Sequence, residues 1–185
     1  MIVSTTTSAV TTLGTSLNDN LLAPAGIRED FYGRWVTIGT QYTGDATTTL
    51  NGDITAGAAT LIYTGSDVFT VNDAVKIDSE VMLVTIIDTG TNTLTVTRAL
   101  QSTTAATHTS GATITIVGPA AGETTKVTNV NFSGSNSALT LSPALSCRVP
   151  NTQQYELHKK FYPVYVRDKI NEILENLRRP IYDPL

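Results

Sequence analysis

What this sequence has little of narrows it before any pattern is read. It carries one cysteine, Cys147, in 185 residues. No disulfide can close within the chain, so the fold must hold by packing, as suits maturation in a reducing cytoplasm. Charged residues make up only 15% against 41% hydrophobic, which excludes a disordered polyelectrolyte and supplies a real core. The formal net charge is −4 and the pI about 5.0, so there is no general electrostatic pull toward nucleic acid. Residues 151–185 hold six of the twelve Lys and Arg but five of the sixteen Asp and Glu, an imbalance too small to imply a specific nucleic-acid partner. No run approaches the roughly 18 apolar residues that cross a bilayer. The opening Met1-Ile2-Val3-Ser4-Thr5 lacks the basic start and apolar core of a secretory signal.

Catalytic vocabulary is equally thin. His108 and His158 are the only histidines. His158 adjoins Lys159 and Lys160, and His108 lies in a Thr/Ala/Ser loop. Neither has a Cys or carboxylate at metal-ligand spacing, so both are read as structural or solvated. Cys147 precedes Arg148, which could lower its pKa. A nucleophile also needs a positioned base, and a small buried residue is the plainer reading. Asp73, Asp78 and Glu80 cluster near one turn without the spacing of a calcium loop; solvated turn carboxylates are expected. No phosphate loop or nucleophile elbow occurs. The expectation is a protein with no catalytic residues, cofactor or metal, and no enzyme activity.

Threonine abounds up to about residue 150 and then nearly vanishes as charges become frequent. Branched β-carbons favour strands, so the first part reads as β and the tail as helical. Residues 4–16 read as a partly ordered arm or edge strand. An aromatic strand, Phe31 to Ile38, alternates bulk in the same way as Thr125 to Phe132 and Ala138 to Leu141, with Gln154 to His158 following. Between these lies a set of short strands with its own turns. Asn51-Gly52 is a tight-turn pair. Thr60 to Tyr63, Ala74 to Asp78, Val81 to Ile87, Thr93 to Arg98 and Ala112 to Val117 read as strands, with Leu94 and Val96 facing one way. Turns at such short spacing suggest a small barrel or sandwich. The predicted fold is therefore mainly β. A β-sandwich or barrel host is built from 1–43 and 118–158, a small β-domain is inserted at 44–117, and 159–185 form a helix and an extended tail. Insertion of this kind is tolerated where turn ends already lie close.

In the tail, Val166, Ile170, Ile173, Leu174 and Leu177 recur at helical spacing and form one stripe. Pro163 suits the first turn, Arg178 and Arg179 the last, and Pro180 stops the helix. A helix of about fifteen residues does not hold itself in water. The stripe must therefore pack on the β-body or on another subunit. Beyond it, Ile181, Tyr182 and Leu185 offer apolar anchors on a segment kept extended by two prolines.

One run pattern resembles a known group. Ala74 to Thr85, Asn92 to Arg98 and Thr103 to His108 look like a module of tailed-bacteriophage structural proteins. The surrounding strands resemble phage neck or tail proteins. Gly33-Arg34-Trp35-Val36 comes first, then Gly118-Pro119-Ala120-Ala121-Gly122-Glu123, Leu139-Thr140-Leu141-Ser142-Pro143-Ala144, Tyr155-Glu156-Leu157-His158, and a helix with Ile170-Asn171. The inserted strands separate the Trp strand from the Gly-rich stretch, which is the departure from that pattern. The resemblance implies a structural virion protein, assembled in the host cytoplasm. In that reading it is a head-to-tail adaptor in the phage neck, a homo-oligomeric ring between portal and tail proteins. Its interface would be Val166, Ile170, Ile173, Leu174, Leu177, Arg178, Arg179, Ile181, Tyr182 and Leu185. A fibre-attachment or host-surface module contacting through Gln101 to Gly111, and a capsid decoration protein, are the alternatives.

Overall fold

The computed structural model describes residues 2–5, 12–15, 33–65, 68–133, 136–158 and 163–178. It is mainly β, as the threonine bias predicts, with one α-helix after the last strand. Chain order begins with β1 (Ile2–Thr5), β2 (Thr12–Thr15) and β3 (Trp35–Ile38). Next come β4 (Thr43–Leu50), β5 (Thr60–Thr64), β6 (Ala74–Ile77), β7 (Glu80–Asp88), β8 (Thr93–Thr97) and β9 (Thr113–Val117). Finally there are β10 (Thr124–Ser133), β11 (Asn136–Ser142), β12 (Gln154–His158) and α1 (Pro163–Arg178).

These strands close into two antiparallel barrels. The first runs β1-β12-β3-β10-β11-β2 and the second β4-β5-β8-β7-β6-β9. Within the first, β10 pairs Lys126 with Trp35 on one side and Val127 with Leu141 on the other. The two distant halves of the chain therefore share one sheet, and its interior holds Val36, Ile38, Val127, Leu139, Leu141 and Tyr155. The second barrel fills its centre with Leu61, Tyr63, Ile77, Met82, Leu94 and Ile114, among others. Tyr63 meets Phe69 edge to face, with ring centroids 5.0 Å apart.

Local chemistry explains most of the turns. Asn72, Asp78 and Asn92 all take left-handed backbone angles (φ +73°, +52° and +52°), a region their short polar side chains tolerate. On β8 the expected alternation holds: Leu94 and Val96 point inward while the threonines point outward.

Two expectations need correction, and one strand lies where none was assigned. The described part of residues 4–16 is not an edge strand: Ser4 and Thr5 end β1 and residues 12–15 form β2, and these two strands close the first barrel between β12 and β11. The Thr/Ser-rich composition of this segment hides the strands, because only a partner edge separates a polar strand from a polar loop. Thr43 to Leu50 is likewise a strand, bulged between Thr43 and Thr47, that joins β5 to β9 and closes the second barrel. Asn51-Gly52 does not make a two-residue hairpin. Only Gly52 is left-handed (φ +99°), and the chain runs on to an isolated Ile54–His108 bridge before β5 begins.

The half-buried character of β8 has a direct consequence. Leu94→Ala should cost about 2–5 kcal/mol in urea unfolding, and Thr97→Ala less than about 1 kcal/mol. Similar losses at both positions would contradict the observed facing.

Candidate functional site

Two buried charge clusters and one uncovered helix concentrate the chemistry of this chain. The first cluster sits at the rim of the second barrel, where β6 turns into β7. Glu80 opposes Ile77 at the hairpin end and is wholly buried. Arg98, directly after β8, grips both of its oxygens through Nε and Nη2 at 2.7 Å. The remaining guanidinium N–H groups donate to the carbonyls of Thr55, Ala58 and Ala106. All five Arg98 donors are therefore used, which is what makes a buried guanidinium tolerable. Glu80 also accepts from the backbone N–H groups of Ala99 and Ala106.

His108 completes the cluster. Its Nδ1 lies 2.7 Å from Asp78 Oδ2, and its Nε2 lies 2.9 Å from Glu80 Oε2. The expectation of a histidine without a nearby carboxylate is thus corrected: the fold brings two to it, from 30 and 28 residues away. The reading of Glu80 and Asp73 as solvated turn carboxylates is corrected too, since both are fully buried in ion pairs. Only Asp78 keeps its side chain largely in water. A signal was present in the sequence. Arg98 is the sole Arg or Lys between Lys76 and Lys126, and a lone cation among apolar strands needs a partner. Burial by itself would raise the Glu80 carboxyl. The Arg98 fork, the Ala106 N–H, His108 and the Ala99 N–H outweigh it and hold it at about 2, against 4.5 in open solution.

The second cluster joins the two barrels. Between β11 and β12 the chain reaches the second barrel, and Arg148 donates through Nε to Asp73 Oδ1 at 2.5 Å. Its backbone N–H binds the Asn72 carbonyl at 2.7 Å. Asp73 takes a further bond from the Thr70 N–H. Around this pair, Ala74, Val81 and Val117 pack against Cys147. Gln41 and Gln101, one from each side, both donate to the Gly118 carbonyl and meet each other at 2.6 Å. The buried Gln153 accepts from the Tyr42 N–H and donates to the Thr40 carbonyl. A Cβ on Gly118 would collide with the Gln153 amide oxygen, so a larger residue there would have to displace that amide from its bonds. Cys147 is buried as expected. Burial, with Glu123 and Asp73 nearby, pushes its thiol up to about 12, and Arg148 is turned to Asp73 instead.

The loop from Gln101 to Gly111 is tied down along its length. Thr103 bonds Val81, Ala106 bonds Glu80, His108 pairs with Ile54, and Ser110 bonds Asp53. Beside Asp78, a groove of about 320 Å³ is lined by Thr43, Lys76, Asp78, Thr113 and Thr115. Among the described residues no group of three or more His, Cys, Asp or Glu is placed to hold a metal ion.

The interface residues expected from the sequence fall on α1 and beyond it. The helix starts at Pro163 and ends at Arg178, so its span agrees with the stripe and its proline stops. Ile170, Ile173 and Leu174 are 51%, 58% and 51% exposed. Among the described residues no strand packs along the helix. Arg179, Ile181, Tyr182 and Leu185 lie outside the described residues, as do the side chains of Val166, Leu177 and Arg178. Compared with known proteins, the chain matches no family model and no curated protein.

Two measurements follow from the charge clusters. Glu80 binds its proton near 2 when folded and near 4.5 when unfolded, so its contribution is full above pH 4.5 and disappears as the pH falls through 2. The stability advantage of the parent chain over Glu80→Gln should therefore shrink by on the order of 3 kcal/mol between pH 5 and pH 2, read by urea unfolding. A constant difference across that range would refute the assignment. At the seam, Asp73→Asn or Arg148→Met alone should cost about 3–5 kcal/mol. The pair together should cost clearly less than the sum of the two. Additive losses would mean that the two side chains do not depend on one another.

Proposed function

We propose that this chain is a structural subunit of a tailed-phage virion: a head-to-tail adaptor that assembles as a homo-oligomeric ring in the neck, between portal and tail proteins. The observation that carries this reading is the apolar stripe of α1, left uncovered on a helix that follows two interlocked barrels. Covering Ile170, Ile173 and Leu174 contributes about 1.5–3 kcal/mol each, and an isolated helix of this length needs such help to stay formed. A connector subunit needs a stiff body with a contact element at one end of the chain. The Asp73–Arg148 seam supplies stiffness and α1 the contact. The resemblance of the strand and Gly-rich runs to phage neck proteins points the same way.

In this reading the buried histidine cluster is architectural and no catalytic step is assigned. The host-surface alternative relied on the loop from Gln101 to Gly111; the loop is anchored to the barrel and exposes Ser102, Thr104, Thr107, Thr109, Ser110 and Gly111. Capsid decoration differs in copy number, hundreds on the shell against about a dozen at one vertex for a ring.

Phage carrying the chain without residues 180–185 should yield heads and tails that fail to join, while the purified truncated protein keeps its β circular-dichroism spectrum. Normal yields of joined particles would overturn the docking role of the terminus. Labelled protein spread over the shell would overturn the adaptor reading itself.

A further inference from the structure

Every large apolar side chain that stands exposed among the described residues belongs to one of two surfaces. One is the α1 stripe. The other is the outside of the second barrel, where Ile62, Val68, Val71 and Ile86 are 43%, 42%, 42% and 60% exposed. On the first barrel none is found among the side chains described, those of β3, β12 and most of β10 and β11. Ile62 and Ile86 lie two strands apart, bridged by β8. Thr93 opposes Ile62 and Asp88, and Thr95 opposes Thr60 and Ile86. Backbone bonds from Asn72 and Asp73 to Val84 lay the segment carrying Val71 along β7. The outer face of β5, β8 and β7 is therefore an uncharged Ile/Thr strip with exposed Asp88 at its border.

Charge distinguishes the two surfaces. Residues 43–118 contain seven Asp and Glu against two Lys and Arg, a net −5. Glu80 and Arg98 cancel inside the barrel and Asp73 is buried against Arg148; among the described residues its exposed charges are Asp53, Asp78 and Asp88 against Lys76, so its outside is acidic. The helix shows the opposite border. At about 100° per residue, positions 167, 169 and 178 flank the stripe within roughly a right angle on either side. The acidic positions 168, 172 and 175 fall on the back. Lys169 meets Glu172 at 2.6 Å and Arg167 meets Asp168 at 3.4 Å, exposed pairs that hold little energy. Two helices packed stripe to stripe would bring cationic borders together, and two barrels face to face would oppose acidic surfaces. Only the crossed pairing matches apolar to apolar and cation to acid. A ring of identical copies needs this kind of contact, made by two different patches on each copy.

We propose that α1 of one copy docks across the outer face of β5, β8 and β7 on the second barrel of the next copy. The occupant of both surfaces is thus a second copy of this chain, held head to tail. This rests on the ring reading above and narrows the partner of the helix, leaving the chain beyond Arg178 for a neighbour of different chemistry.

The test uses the full chain, with sedimentation velocity over a range of concentrations and circular dichroism to verify folding. The helix-blocked variant I173E/L174E and the barrel-blocked variant I62E/I86E should each weaken self-association at least about tenfold, with unchanged melting curves. Mixed together, they should form a single heterodimer, because one intact helix then meets one intact barrel face. A monomeric parent chain, a barrel-blocked variant that assembles like the parent, or a mixture that stays monomeric would each overturn the contact. Imaging of particles separates this inference from the adaptor reading. Rings that form through this contact but lie on the shell refute the adaptor and keep the contact. Protein at the vertex whose barrel-blocked form assembles normally does the reverse.

Discussion

Unpaired strand edges are the constraint from which the rest of this structure follows. A sheet of short strands leaves two rows of N–H and C=O groups open to any passing strand, and a closed barrel removes both rows at once. This chain closes two barrels. In the first barrel β1 and β2 complete the ring between β12 and β11, and in the second the threonine-rich β4 bridges β5 and β9. Closure also confines the apolar core to two interiors and pushes charged groups to rims and seams. What remains for contact with other molecules is the outside of the barrels and the helix.

The two buried ion pairs act at different levels. Glu80 and Arg98 bind loops of one barrel: the guanidinium draws in the carbonyls of Thr55, Ala58 and Ala106, while His108 ties Asp78 to the same carboxylate. Asp73 and Arg148 instead cross from one barrel to the other, beside a small apolar seam and the amides of Gln41, Gln101 and Gln153. Desolvation offsets much of the Coulomb attraction in such pairs. Their effect here is to specify one arrangement, because a shifted seam would leave a buried carboxylate without its cation. A body specified in this way can transmit the position of one contact surface to another.

Legibility in the sequence followed the range of the forces involved. The Leu94/Val96 alternation and the helix with Pro163 in its first turn were readable, since each depends on neighbours a few residues away. The strands β1, β2 and β4 were not, because nothing local separates a polar strand from a polar loop; only a partner edge makes the difference. The carboxylate partners of His108 were missed for the same reason, since they lie on another hairpin. For the contact surface, the apolar stripe was legible and its exposure was not.

Alone, the amino-acid order determined the mainly β class, the helix after the last strand and its apolar face, and the need to hold together without disulfides. These properties come from side-chain shape, hydropathy and period, which act over one turn or one strand. Only tertiary structure decided that both sheets close and that Asp73 meets Arg148 across 75 residues. It also decided that Ile170, Ile173 and Leu174 of α1 stay exposed among the described residues. Pairing and burial depend on which distant segments arrive at the same place, and that is a property of the whole packing and not of any window of sequence.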